Sequence, residues 1–195
     1  MSVLILPVSV VVAMFSYEIM LIWTQNKITA EKSHVLVSIL ICGTALNGLM
    51  NIPYGLQLAH GWTRLALSAN AIAIIILAPM IVFMTSQYGV LGAASVWVIL
   101  NGGYVLIAIH FMHRRLLLRE KWNWYWHDVG LPLMASLLIP SLCRIFIGSH
   151  VSQFMTIIYL ILISISTLAI TAITTKTTRI WFFNKLSNLK LAYGD

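Results

Sequence analysis

Apolar runs of about 20 residues follow one another along this chain, at 3–23, 35–58, 65–86, 91–112, 129–147 and 151–173, with the charges confined almost entirely to the gaps. A bilayer's hydrocarbon core takes about 20 apolar helical residues to cross. Inside it every backbone polar group must be paired within its own segment, which leaves helices or closed barrels. Runs of this length predict an all-α, polytopic membrane protein, a bundle of six transmembrane helices. Hydrophobic residues make up 60% of the chain and charged ones 9%, too few charges to clothe a soluble domain of this size. The expected organisation is one transmembrane lobe over 1–175 and a basic tail over 176–195.

A net charge of +7 would suggest nucleic acid in a soluble protein. Here the basic residues read as topology signals and contacts to anionic head groups, with no nucleic-acid partner expected. With six crossings, one face collects Arg64, Arg114, Arg115, Arg119, Lys121, Lys176, Arg179, Lys185 and Lys190, while the other holds Lys27 and Lys32. The excess of positive charge puts the first face, and both termini, in the cytoplasm. Trp23, Trp62, Trp122, Trp124, Trp126 and Trp181 fall at expected span ends, where an amphipathic ring suits the interface. The stretch from Lys121 to Asp128 is expected to lie along the cytoplasmic surface. No Lys or Arg precedes Val3, so the first run reads as a retained helix rather than a secretory signal. The missing basic flank also suggests that the chain begins inside what was once a longer protein. Cys42 and Cys143 lie in separate apolar runs and read as buried free thiols.

Polar groups inside spans are costly and carry the functional expectations. Glu18 and Arg144 are the ionisable groups well inside spans, at similar depth near the outer face. They read as an ion pair, as snorkelling side chains, or as the lining of a polar cavity. Gly43, Asn47, Asn51, Tyr54 and Leu58 share one side of the second span. That side serves either as interhelical glue or as a cavity wall. Gly48, Pro53 and Gly55 loosen the same helix, and Pro79, Pro132 and Pro140 are expected to kink spans three and five. Asn70, Asn101 and His110 are isolated polar groups on apolar spans. No P-loop, HExxH, nucleophile elbow or carboxylate cluster is present. The dipeptide His127-Asp128 is the one candidate for acid–base work. No metal, cofactor or covalent chemistry is expected.

The stretches from Phe15 to Asn26, from Leu46 to Tyr54, from Leu56 to Gly61, from Tyr88 to Ala94 and from Asn101 to Tyr104, with the His113-Arg114-Arg115 stop and the Trp-rich loop ending at Asp128, carry a resemblance. The chain resembles the C-terminal half of the bacterial polysaccharide repeat-unit (O-antigen and exopolysaccharide) flippases of the multidrug/oligosaccharidyl-lipid/polysaccharide exporter superfamily. In such proteins Thr-Gly-Asn usually follows the tryptophan; Gln25 replaces that glycine here. The resemblance implies one lobe of a 12–14-helix transporter in the inner membrane, acting with a separate N-terminal half or as a truncated product. It implies an undecaprenyl-diphosphate-linked oligosaccharide as substrate. Asn47, Asn51, Gln57, Asn101, Glu18 and Arg144 are then the cavity-facing groups, and Arg64 is the diphosphate contact at the cytoplasmic mouth. The rivals are a multidrug exporter of the same superfamily, which should show an excess of intramembrane acids, and a membrane-embedded cell-envelope transferase built on His127 and Asp128.

Overall fold

The computed structural model describes residues 1–116, 121–146 and 152–175. Among these, regular structure is helical. In chain order the elements are α1 (Ser2–Met14), α2 (Ser16–Thr24), α3 (Lys27–Leu49), α4 (Asn51–Ala59), α5 (Thr63–Gly103), α6 (Ile109–Leu116), α7 (Lys121–Asn123), α8 (Leu131–Phe146) and α9 (Gln153–Thr174). π-Helical turns at Tyr104–Ala108 and Trp124–Gly130 join α5 to α6 and α7 to α8. Four helical stretches are long and apolar enough to cross a membrane: Lys27–Ala59, Thr63–Leu116, Lys121–Ile145 and Gln153–Thr174. The pair α1 and α2, bent by 75°, makes a fifth if it counts as one crossing. This is the make-up of a multi-pass membrane protein. The expected tail at 176–195, with its four basic residues and Trp181, lies outside the described residues, as does Arg119.

Several elements differ from the expected rods, each for a local reason. The first run is broken at Phe15, whose φ of −112° leaves the helical region. A break there strips the Ala13 carbonyl of its helical partner, and the Ser38 hydroxyl of α3 donates to that carbonyl at 2.8 Å. The second helix starts at Lys27 rather than 35, because Asn26 caps it: its Oδ1 accepts from the Ile28 and Thr29 amides at 3.0 and 3.1 Å. Gln25 ends α2 in the left-handed conformation, φ 53°, a position where a glycine would sit without strain.

The same second helix breaks at Met50, between α3 and α4. Pro53 lacks the N–H that would bond to the Leu49 carbonyl, and its ring crowds that carbonyl. Pro79 leaves the backbone of α5 helical; the departure is at Gly89, φ 59° and ψ −140°, a conformation essentially restricted to glycine. The Trp-rich stretch is itself helical and continues into α8. Cys42 and Cys143 are free, but Cys42 is exposed rather than buried, because it faces outward from α3.

The helix α1 packs among α3, α8 and α9, while α3 also packs along α5. Phe15 and Val11 meet Ile163 of α9 in a core completed by Ile139 and Cys143 of α8. Thr167 and Thr171 on α9 are fully buried and satisfy their hydroxyls on carbonyls one turn back, at 2.6 and 2.7 Å. Small self-satisfied residues of this kind let helices approach closely in an apolar medium. Large aliphatic side chains such as Ile74, Ile75, Leu106 and Ile165 point outward.

Around Gly89 the two parts of Thr63–Leu116 fold back on each other. A Cβ on Gly92 would sit 2.0 Å from the Met84 carbonyl oxygen, and farther down the Tyr104 hydroxyl reaches Asn70. The pairs 84/92 and 70/104 both centre on the Gly89 turn, as in an antiparallel hairpin.

Candidate functional site

A cleft of about 190 Å³ opens where the end of α3, α4 and the hairpin meet. Its polar lining is Asn47, Asn51, Tyr54, Gln57, Asn70 and Tyr104. The first four come from one face of α3 and α4, since spacings of three and four keep side chains on one side of a helix and the short break at Met50 preserves that register. Gln57 is 2% exposed and sits at the floor of the cleft. The hairpin supplies the opposite wall. There the Tyr104 hydroxyl donates to Asn70 Oδ1 at 2.5 Å, at the first residue of a π-helical turn. Such turns insert an extra residue into a helix and often mark functional positions.

Next to the cleft, Asn47 Nδ2 donates to Asn101 Oδ1 at 2.8 Å, and Asn101 Nδ2 donates to the Trp97 carbonyl at 2.8 Å. Asn101 is fully buried. One turn away, the Trp97 indole lies against Gly43, where a Cβ would come within 2.3 Å of its Cδ1. Asn101 therefore clamps α3 to α5 and holds Asn47 in position, and it does not line the cleft.

Glu18 and Arg144 form an ion pair between α2 and α8, with Arg144 Nη1 donating to Glu18 Oε1. The Arg144 guanidinium also lies 5.5 Å from the Phe15 ring centroid, at the break between α1 and α2. Glu18 Oε2 is buried with no hydrogen-bond partner among the described residues. Neither residue lines the amide cleft. Arg64 is exposed at the start of α5 and also stands outside the cleft, two residues from Ala66, which lines it. Its surroundings are basic: the Arg115 guanidinium lies 4.5 Å over the Trp62 ring, tying the end of α6 to the α4–α5 turn. Lys121 Nζ and His110 Nδ1 lie 2.6 Å apart near the same region.

Of the expected cavity residues, the fold brings Asn47, Asn51 and Gln57 into one cleft. It sets Asn101 behind them and joins Glu18 to Arg144 elsewhere. In the sequence Asn70 is an isolated polar group on an apolar span, and Tyr104 carries no signal of its own. The turn at Tyr88-Gly89, expected between the third and fourth spans, sets the two side by side.

This lining offers amide and phenol donors and acceptors without net charge. It suits reversible binding of hydroxyl-rich groups and supplies no nucleophile–base pair. Among the described residues no three His, Cys, Asp or Glu side chains gather as a metal site. No family model, curated protein or solved structure matches the chain.

Proposed function

We propose that the chain is a six-crossing lobe of a flippase that moves a polyprenyl-diphosphate-linked oligosaccharide from the inner to the outer leaflet. The observation that carries this reading is a neutral, amide-lined cleft set into otherwise apolar helices. Sugar hydroxyls in hydrocarbon without partners cost several kcal/mol each on the scale of roughly 2–7 per group, and convergent amides offset that cost. Glu18, the one acid well inside a span, is already paired with Arg144, which argues against an organic-cation exporter.

The six crossings are α1 with α2, Lys27–Ala59, 63–88, 90–116, Lys121–Ile145 and Gln153–Thr174. Two features support splitting the long Thr63–Leu116 stretch. At 1.5 Å per residue its 54 residues would run about 80 Å, against roughly 30 Å of hydrocarbon, and Gly89 interrupts it. In this arrangement Trp62, Arg64, Arg114 and Arg115 share the cytoplasmic face with both termini, in the inner membrane. Cysteine labelling checks the orientation. In a background with Cys42 and Cys143 replaced by serine, Glu31→Cys should react with an impermeant maleimide in intact spheroplasts. Thr63→Cys should react only after permeabilisation, and the opposite pattern overturns the topology.

Binding tests the function. The purified chain in nanodiscs should bind lipid-linked oligosaccharide, and Gln57→Leu with Asn70→Leu should weaken it by roughly a hundredfold, the loss expected when two sets of hydrogen bonds to sugar hydroxyls go. Unchanged affinity would reject the cleft as the sugar site. The chain expressed alone should not restore polysaccharide export to a flippase-null strain, because a lobe encloses a passage only with its partner half. Full rescue would remove the half-transporter reading.

A further inference from the structure

A second cleft, of about 400 Å³, runs along the hairpin between 65–77 and 99–111. Its walls are aliphatic and aromatic, Ile72, Ile76, Ile99, Ile107 and Phe111 among them, and these five are 49–61% exposed. The cleft is therefore open along its length to the lipid side. It is continuous with the amide cleft: Ala69, Tyr104 and Ala108 line both. At its Leu65/Phe111 end stand Arg64, Arg114 and Arg115, all exposed. An apolar slot, a neutral polar pocket and a cationic rim thus adjoin one another in a single region.

We infer that this cleft seats the isoprenoid chain of a polyprenyl phosphate. The phosphate lies at the arginine rim and any attached sugar lies in the amide cleft. The assignment rests on the proposed flippase reading for the identity of the chain, and on geometry for its place. Each part answers one part of the ligand: burial of hydrocarbon for the tail, guanidinium for phosphate, amides for hydroxyls. The cleft between α1, α2 and α9, lined by residues from Val8 to Ile165, is larger at about 570 Å³ and equally apolar. It shares no lining residue with the amide cleft and so supplies an internal comparison. Gly103 gives a clean way to fill the proposed slot. It lines the cleft, and a Cβ there would meet no atom of the described residues within 4 Å, so a side chain grows into open space instead of into the fold.

The test uses the full chain in phosphatidylcholine nanodiscs and a sugar-free polyprenyl phosphate bearing a diazirine on its chain. Photolabelled peptides should fall in 65–77 and 99–111. Gly103→Phe, and independently Ala73→Trp from the opposite wall, should cut labelling roughly tenfold, the loss that follows when about 1.4 kcal/mol of tail burial is removed. Ile75→Trp, on an outward residue 74% exposed, should leave labelling unchanged. Excess unlabelled polyprenyl phosphate should compete, and excess phosphatidylglycerol should not. Labelling centred on the α1–α2–α9 cleft, or indifferent to both filling variants, overturns the assignment. Equal competition by phosphatidylglycerol overturns it too, since the slot would then be a general anionic-lipid site. Because the probe carries no sugar, it reads the tail slot alone. Tail labelling that persists while the Gln57 and Asn70 variants leave sugar-lipid binding intact would reject the amide cleft as the sugar site and spare the tail slot.

Discussion

Replacing Gly92 by leucine is expected to force the hairpin apart and lower the thermal unfolding midpoint of the detergent-solubilised chain by roughly 6–10 °C. The cause is backbone against backbone. A Cβ at this position would lie 2.0 Å from the Met84 carbonyl oxygen and 2.6 Å from its carbon, and neither atom belongs to a side chain that could swing away. Overpacking usually costs about 1–3 kcal/mol, and a contact with main chain on both sides belongs at the upper end. The effect should reach the site as well, because the same hairpin carries Asn70 opposite Tyr104. Gly55→Leu is the matched comparison. Among the described residues nothing lies within 4 Å of a Cβ there, so its midpoint should stay close to that of the unaltered chain. Equal stability of the two variants would show that the Met84–Gly92 crossing is not a constraint.

The second large effect is expected at the ion pair. Glu18→Leu strands the Arg144 guanidinium, and Arg144→Leu strands a carboxylate that already has one buried oxygen without a partner among the described residues. Breaking a sealed pair costs about 3–5 kcal/mol. The Arg144 side chain is 47% exposed and that of Glu18 22%, so the arginine is able to turn toward the interface. Each single change should therefore cost less, on the order of 2 kcal/mol. The double change, Glu18→Leu with Arg144→Leu, removes both charges and should fold nearly as well as the unaltered chain. A double-mutant cycle by unfolding in detergent reads the difference, with a coupling of at least about 1 kcal/mol expected. Additive losses would mean that the two side chains merely touch.

The polar side of the second span was legible in advance, since spacings of three and four put Asn47, Asn51 and Tyr54 on one face whatever the neighbours are. What that face meets was not. Asn101 reads in the sequence like any lone amide on an apolar span. Only the packing of α5 on α3, made close by Gly43 under the Trp97 ring, buries it and turns it into a clamp on Asn47. Tyr104 gives no local signal at all. Its part in both clefts comes from a π-helical turn and a partner 34 residues away.

The amino-acid order alone determined where helices form, because a run of apolar residues has no other way to satisfy its backbone in an apolar medium. It also determined which loops are basic, and that glycine and the Pro53 ring interrupt certain runs. The tertiary structure decided the bend at Phe15, the pairing of Glu18 with Arg144, and the convergence of Asn51, Gln57 and Asn70 on one cleft. Those outcomes depend on side chains meeting across helices far apart in the chain. Local propensity and hydropathy describe each helix singly and hold no information about which faces come together.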